Sequence, residues 1–246
     1  MVDGKNLAWE EFMIAVLLIA GNFVRENRWP LLTLLLYVIV FGGAMAYAGE
    51  ASAEDILFFL RSVSIYGLAF TGLLAASAIN NERRSRRILS VLSKAVERGQ
   101  YLVALLAGVM TAAAIYCAAI GLVGTAALAR HGAPAVKVWE LVTILLAGFL
   151  LVATAALFFS TFLHPLPATA AAAVLLAATG AVAHALGPAW ENLLPAYKLV
   201  ASMLDFNLAG WQPPWNAAAW AVLHAAVFWA LATIVFSRRD IAVAVE

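Results

Sequence analysis

Few side chains able to do chemistry lie within the apolar stretches of this chain, and their spacing narrows the choices. His184 and His224 sit in or near long apolar runs, with the hydroxyls of Thr71, Ser77, Thr111, Tyr116, Thr143, Thr154 and Thr179. Two histidines can begin a metal or haem site, but such a site needs further ligands. None stands at a suitable spacing, so a structural or hydrogen-bonding role is expected for both. No Asp, Glu, Lys or Arg occupies the middle of an apolar run. That argues against a proton- or sodium-coupled carrier, which commonly uses carboxylates at membrane depth, and against a multi-carboxylate metal enzyme. Cys117 is the single cysteine, which excludes an intrachain disulfide and a cysteine metal cluster. There is no Ser-His-Asp constellation in water-accessible positions. There is also no G-x-x-x-x-G-K-S/T phosphate loop, so the chain is expected neither to be an enzyme nor to hydrolyse ATP by that route.

Charge is concentrated instead in one place. The seventeen residues from Glu82 to Arg98 read ERRSRRILSVLSKAVER and lie between two long apolar runs. Ile88, Leu92 and Ala95 or Val96 recur at three- and four-residue spacing, with Leu89 beside them. Arg83, Arg87, Lys94 and Arg98 fall mostly away from that stripe, so the segment is predicted to be an amphipathic helix. Such a helix can rest on anionic lipid as a positive-inside loop, or it can be a lever seated in a groove of a cytoplasmic partner.

The elements that must hold these residues follow from composition. The chain has 246 residues, 65% of them hydrophobic and 12% charged, with a mean hydropathy of +0.93. A soluble domain has roughly 45–50% apolar and about 25% charged residues. A transmembrane helix needs about 20 mainly apolar residues, whereas barrel strands are about 10 residues long and alternate. The sequence therefore predicts an all-α integral membrane protein with six spans, at about 29–47, 62–79, 101–129, 138–163, 166–186 and 217–236. Residues 29–246 form one transmembrane domain and leave no room for a folded soluble one.

Residues 1–28 are set apart as a cytoplasmic or interfacial segment. Phe12 to Gly21 is apolar but only ten residues long, and it follows Glu10 and Glu11 without the basic leader of a secretory signal. A helix over 7–24 is expected to lie in the inner interface, with Arg25 and Arg28 at the headgroups; a seventh short span is the alternative. With the N-terminus inside, eleven Lys and Arg fall on the cytoplasmic side and four (Arg61, Arg130, Lys137 and Lys198) outside. That places both termini in the cytoplasm. A formal net charge of +1 argues against a polyanion as the main ligand.

Between the fifth and sixth spans, residues 187–216 are read as an outer re-entrant segment. Trp190, Tyr197, Phe206, Trp211 and Trp215 alternate there with Pro188, Pro195, Pro213 and Pro214. These aromatics can form an interfacial belt that caps the bundle, an outer gate on a substrate path, or both. Gly67 with Thr71 and Gly72 with Ala76, at four-residue spacing, would allow close helix contact within the bundle or across a dimer.

The segment from Glu82 onward resembles the loop between the second and third spans of type-2 ABC transporter permeases. There a glutamate opens the segment, an isoleucine/leucine-rich turn follows, and a phrase like LSKPVSR..YLLGK leads into the third span. In this chain the phrase reads Ile88-Leu89-Ser90-Val91-Leu92-Ser93-Lys94-Ala95-Val96-Glu97-Arg98-Gly99-Gln100-Tyr101-Leu102. Phe236-Ser237-Arg238-Arg239-Asp240-Ile241 is similar to the family's closing phrase, and Arg25-Glu26-Asn27-Arg28-Trp29 to its approach to the first span. The family's proline is Ala95 here and its serine is Glu97. Its upstream glycine-threonine pair is Arg86-Arg87, and the glycine-lysine before the third span is missing.

The resemblance implies the type-2 exporter fold, with two permease copies, or this chain and a homologous permease, working with two ATPase subunits that bind ATP and Mg. It makes residues 82–98 the coupling helix, with Glu82, Arg83, Arg87, Ile88, Leu89, Leu92, Val96 and Arg98 meeting the ATPase. It implies the inner membrane of a prokaryote, and the apolar spans suit export of a hydrophobic or lipid-like substrate, although the family also moves polysaccharides. A membrane anchor that recruits a cytoplasmic complex without transport, and an intramembrane enzyme, are the alternatives. No nucleic acid is expected as a partner, and no metal or other cofactor in this chain.

Overall fold

A computed structural model describes residues 4–48, 51–84, 98–132 and 134–238. Among them every regular element is helical: α1 (Gly4–Glu26), α2 (Arg28–Ala48), α3 (Ala53–Arg84), α4 (Arg98–Ala129), α5 (Ala135–Ser160), α6 (Pro165–Leu186), α7 (Pro188–Leu193), α8 (Ala196–Leu204) and α9 (Trp215–Arg238). Six helices are long and apolar enough to cross a membrane: Arg28–Tyr47, Ala53–Asn81, Gly99–Ala129, Ala135–Ser160, Pro165–Leu186 and Trp215–Arg238. They match the six runs read from the sequence to within three residues at each end, except at the N-terminal end of α3. That helix starts nine residues before Ser62, because Arg61 interrupts the apolar run but not the helix. Ser52 caps α3: its hydroxyl accepts the Asp55 N–H at 3.2 Å, and the Asp55 carboxylate accepts the Ser52 N–H at 3.0 Å.

Burial orders the bundle. In its most apolar eighteen residues α5 is two-thirds buried (67%), against 50% for α3 and α4 and 22% for α2, α6 and α9, so α5 is the central helix and the last three face outward. α5 packs on α3, α4, α6 and α9, while α4 carries α1 and α2 on its other side. The outward helices expose large apolar side chains such as Leu36, Val174 and Val227. That is the arrangement expected when the surrounding solvent is hydrocarbon and all backbone groups are satisfied within helices.

The core forms two layers. One gathers Leu60, Tyr116, Phe149, Phe206 and Trp211 toward the end of the bundle that carries α7 and α8. The other gathers Ala75, Ile79, Tyr101, Leu102, Leu157 and Phe236 toward the end where α3 and α9 terminate and α4 begins. Gly67 lets the first layer close. A Cβ there would stand 2.5 Å from Tyr116 Cε1 and 2.6 Å from Phe149 Cζ, and the Tyr116 hydroxyl is tied to Val63 O at 2.7 Å. The small residue therefore works inside the bundle, one of the two uses its spacing suggested. In the second layer Tyr101 stacks on Phe236, with centroids 6.4 Å apart and planes 14° from parallel. Two of the phrases that carry the family resemblance thus meet in space.

α1 is a helix over its whole described length and packs along α4. Phe23 is buried against Gly108, and Met13, Ile14, Leu17 and Leu18 are exposed. The hydrogen-bond ladder continues through the α1–α2 junction, where Asn27 N–H donates to Phe23 O at 3.1 Å and Asn27 O accepts Leu31 N–H at 3.2 Å.

Candidate functional site: a cap over an apolar cavity

The residues expected to meet an ATPase fall at the edge of what the structure describes. Arg87, Ile88, Leu89, Leu92 and Val96 lie outside the described residues. Glu82 and Arg83 end α3, and Arg98 begins α4. α3 therefore runs as one helix from the Ser52 cap into the basic segment.

At the opposite end, Gly187 (φ +103°) breaks α6 and starts the cap. Prolines open both of its short helices: Pro188 in the first turn of α7, and Pro195 at the N-cap of α8. After α8 the chain crosses back without helix to α9. Phe206 is fully buried and Trp211 nearly so. They form an edge-to-face pair with centroids 5.0 Å apart and planes at 83°. The Trp211 indole N–H is satisfied by Ser202 O at 2.8 Å and Ser202 Oγ at 3.0 Å. Asn207 forms the turn between the two rings: Gly210 N–H donates to its Oδ1 at 2.9 Å.

Two cations from neighbouring spans hold this plug by its backbone. Arg61 Nε of α3 donates to Phe206 O at 2.9 Å while its other nitrogen pairs with Glu54 Oε1 at 3.0 Å. Lys137 Nζ of α5 donates to Trp211 O at 3.2 Å, lies 3.2 Å from Glu140 Oε2, and stands 5.9 Å over the Trp211 ring. Neither cation was among the candidate site residues read from the sequence. Both counted there only as outer-side charges; for Arg61 the signal that could have found it is the apolar stretch Ile56 to Leu60 before it, which puts the charge two turns inside α3, where it needs a partner, whereas Lys137, in the first turn of its helix, carries no such signal.

The five aromatics do not act as one group. Phe206 and Trp211 make the buried plug. Tyr197 stacks on His184 with centroids 4.5 Å apart. Trp190 and Trp215 are about half exposed, 45% and 49%, and take no part in the plug. The five are thus divided between a buried pair, a ring stacked on His184 and two half-exposed indoles. His184 Nδ1 lies 2.8 Å from Glu191 Oε1 of α7, and His224 Nδ1 lies 2.8 Å from Trp220 O on its own helix. The hydroxyls of Ser77, Thr111, Thr143, Thr154 and Thr179 donate to carbonyls three or four residues earlier. Among the described residues no three of His, Cys, Asp and Glu come together as a metal could require.

Beside the plug, α3, α5, α6 and α8 enclose a cavity of about 620 Å³. Its side chains are apolar except for Thr169, His184 and Tyr197. α6 lines it with two rows at four-residue spacing, Thr169-Ala173-Ala177-Ala181 and Ala172-Leu176-Gly180-His184, which share one face of the helix. α8 closes directly on this face, because a Cβ at Gly180 would stand 2.9 Å from Tyr197 Cβ and 3.1 Å from its backbone nitrogen. What this arrangement can do is hold an elongated apolar group beneath a polar rim. Compared with known proteins, the chain matches no family model and no characterised protein at a significant level.

Proposed function

We propose that this chain is the permease subunit of an ATP-driven ABC transporter with the type-2 exporter fold. Two permeases work with two separate ATPase subunits that bind ATP and Mg, in the inner membrane of a prokaryote with both termini in the cytoplasm. The observation that carries the reading is the framing of the basic segment. α3 and α4 are each 32 residues long, about 48 Å at 1.5 Å per residue, against a hydrocarbon core of about 30 Å. A helix that joins two such rods can pass motion at the membrane face to the outer end of the bundle without loss in a flexible linker. The family phrases at Ile88–Leu102 and Phe236–Ile241 support the same reading, as does the contact of Tyr101 with Phe236.

In this mechanism closure of the ATPase dimer pushes residues 82–98, and α3 and α4 rock together. Because Arg61 rides on α3 and grips Phe206 O, movement of α3 displaces the plug and opens the outer end. The apolar cavity favours a hydrophobic or lipid-like cargo over an ion. α1, with its exposed Met13, Ile14, Leu17 and Leu18, lies in the inner interface, where an apolar stripe meets the acyl boundary.

Purifying the tagged protein gently from its own membranes and identifying the bound chains by mass spectrometry tests this. The parent is expected to bring down an ATPase with a phosphate loop, and Ile88→Asp with Leu92→Asp to lose it. An intact parent that brings down no ATPase sinks the proposal. An ATPase whose turnover ignores every membrane substrate points to an anchor instead.

A further inference from the structure

We propose that Glu140 is a positioning residue of the plug: its carboxylate holds the Lys137 ammonium on the Trp211 carbonyl. The role is independent of any ATPase partner. Glu140 stands three residues after Lys137 on α5, so the two side chains share a face of the helix, and Glu140 Oε2 lies 3.2 Å from Lys137 Nζ. That oxygen is buried, and among the described residues no hydrogen-bond donor is aligned on it. The ammonium is the charge that balances it. A carboxylate oxygen shut away from water is costly unless a cation stays beside it, so Glu140 keeps Lys137 where the structure places it. Left alone, a lysine has a flexible four-carbon stem and a strongly hydrated head, and it swings to the nearest water.

Arg61 needs no such help. Its guanidinium presents its donors in a rigid fork, whereas an ammonium has to be aimed, and its carboxylate partner Glu54 is largely in solvent. Glu140, by contrast, is only 25% exposed and Lys137 27%, so each is the other's nearest means of staying charged. The two ends of the loop are then fastened differently. Among the described residues Phe206 O is held from α3 by Arg61 alone. Trp211 is held from α5 by an ion-paired lysine and from α8 by the two bonds of its indole N–H to Ser202. Letting go of Lys137 would strand a buried carboxylate oxygen; letting go of Arg61 strands none. Movement of α3 therefore releases the Phe206 end while Trp211 stays seated on the central helix.

The full-length protein is labelled with 5-fluorotryptophan at its eight tryptophans, the Trp211 resonance being the one lost in Trp211→Phe. Fluorine spectra in detergent are then combined with amide exchange across residues 207–212. Glu140→Gln, which keeps the size and removes the charge, is expected to move the Trp211 resonance in the direction that Lys137→Met moves it. It should also speed exchange about threefold, the scale of one partly exposed ion pair. Glu54→Gln should leave that resonance in place. Added to Lys137→Met, Glu140→Gln should change little further, because the carboxylate acts through the lysine. A Trp211 resonance unmoved by Glu140→Gln overturns the proposal. So does an equal shift from Glu140→Gln with and without Lys137, which would mean that the carboxylate acts on the ring directly. If Glu140→Gln does not accumulate, Glu140→Asp, which withdraws the charge by one methylene, decides by the same two outcomes.

Discussion

At the residue scale the outer cap depends on two side chains that pair with backbone, and Arg61 is the more consequential. Its side chain is about three-quarters buried (23% exposed), whereas that of Glu54 is 70% exposed. The bond to Phe206 O is worth about 1.5–3 kcal/mol in the range for a charged donor, and the exposed ion pair at most about 1 kcal/mol. Arg61→Ala is therefore expected to destabilise the protein in detergent by about 1–2 kcal/mol. It should also speed amide exchange across residues 205–211 selectively, while Glu54→Gln should do little of either. Equal effects from the two variants would mean that the ion pair, rather than the carbonyl, holds the cap. The sequence showed Arg61 only as a charge beside a span, and its partner lies 145 positions away. No local pattern encodes such a pairing.

At the element scale, the spans were legible because each is an apolar run long enough to cross hydrocarbon. The exception is instructive: one arginine made α3 look nine residues shorter at its outer end than it is. The cap was legible in outline, since proline and aromatic clustering marks short interfacial helices. The division of its five aromatics among plug, groove and surface was not, because burial depends on which turn faces α5. The docking of α8 on α6 through Gly180 was equally hidden in a run where almost every residue is small. Gly180→Leu puts side-chain atoms where the Tyr197 backbone lies. It should push α8 off α6, costing about 1–3 kcal/mol by overpacking, with new protease sensitivity between α7 and α9. Leucine tolerated there without change would show that α8 is not seated on that face.

At the scale of the whole molecule, α5 sits at the centre and the lipid-facing helices around it. Phe149 of α5 is fully buried and stacks on Tyr116 at 6.2 Å. In water, Phe→Ala at such a site costs about 3–5 kcal/mol. In a bilayer the hydrophobic part of that cost largely disappears, because lipid is as apolar as the core, and the lost packing remains. Phe149→Ala is expected to cost about 1–3 kcal/mol in a reversible unfolding measurement in bicelles, and a loss as large as in water would show that the reference state is solvated. The orientation has its own test. Gln212→Cys should react with an impermeant maleimide in intact cells, and Ser93→Cys only after permeabilisation. Cys117, the single native cysteine, is buried and contributes no background. The reverse labelling pattern would invert the topology.

Arg61 and Lys137 hold the cap by the carbonyl oxygens of residues 206 and 211, and every amino acid supplies that same oxygen. The stretch between them, Asn207 to Gly210, is fastened at both ends by bonds that do not read its side chains. Apart from Asn207, whose side chain makes the turn, such a loop can drift in sequence while keeping its place. Relatives of this protein, or laboratory variants, can therefore change the face that this loop presents without losing the two bonds that fasten it.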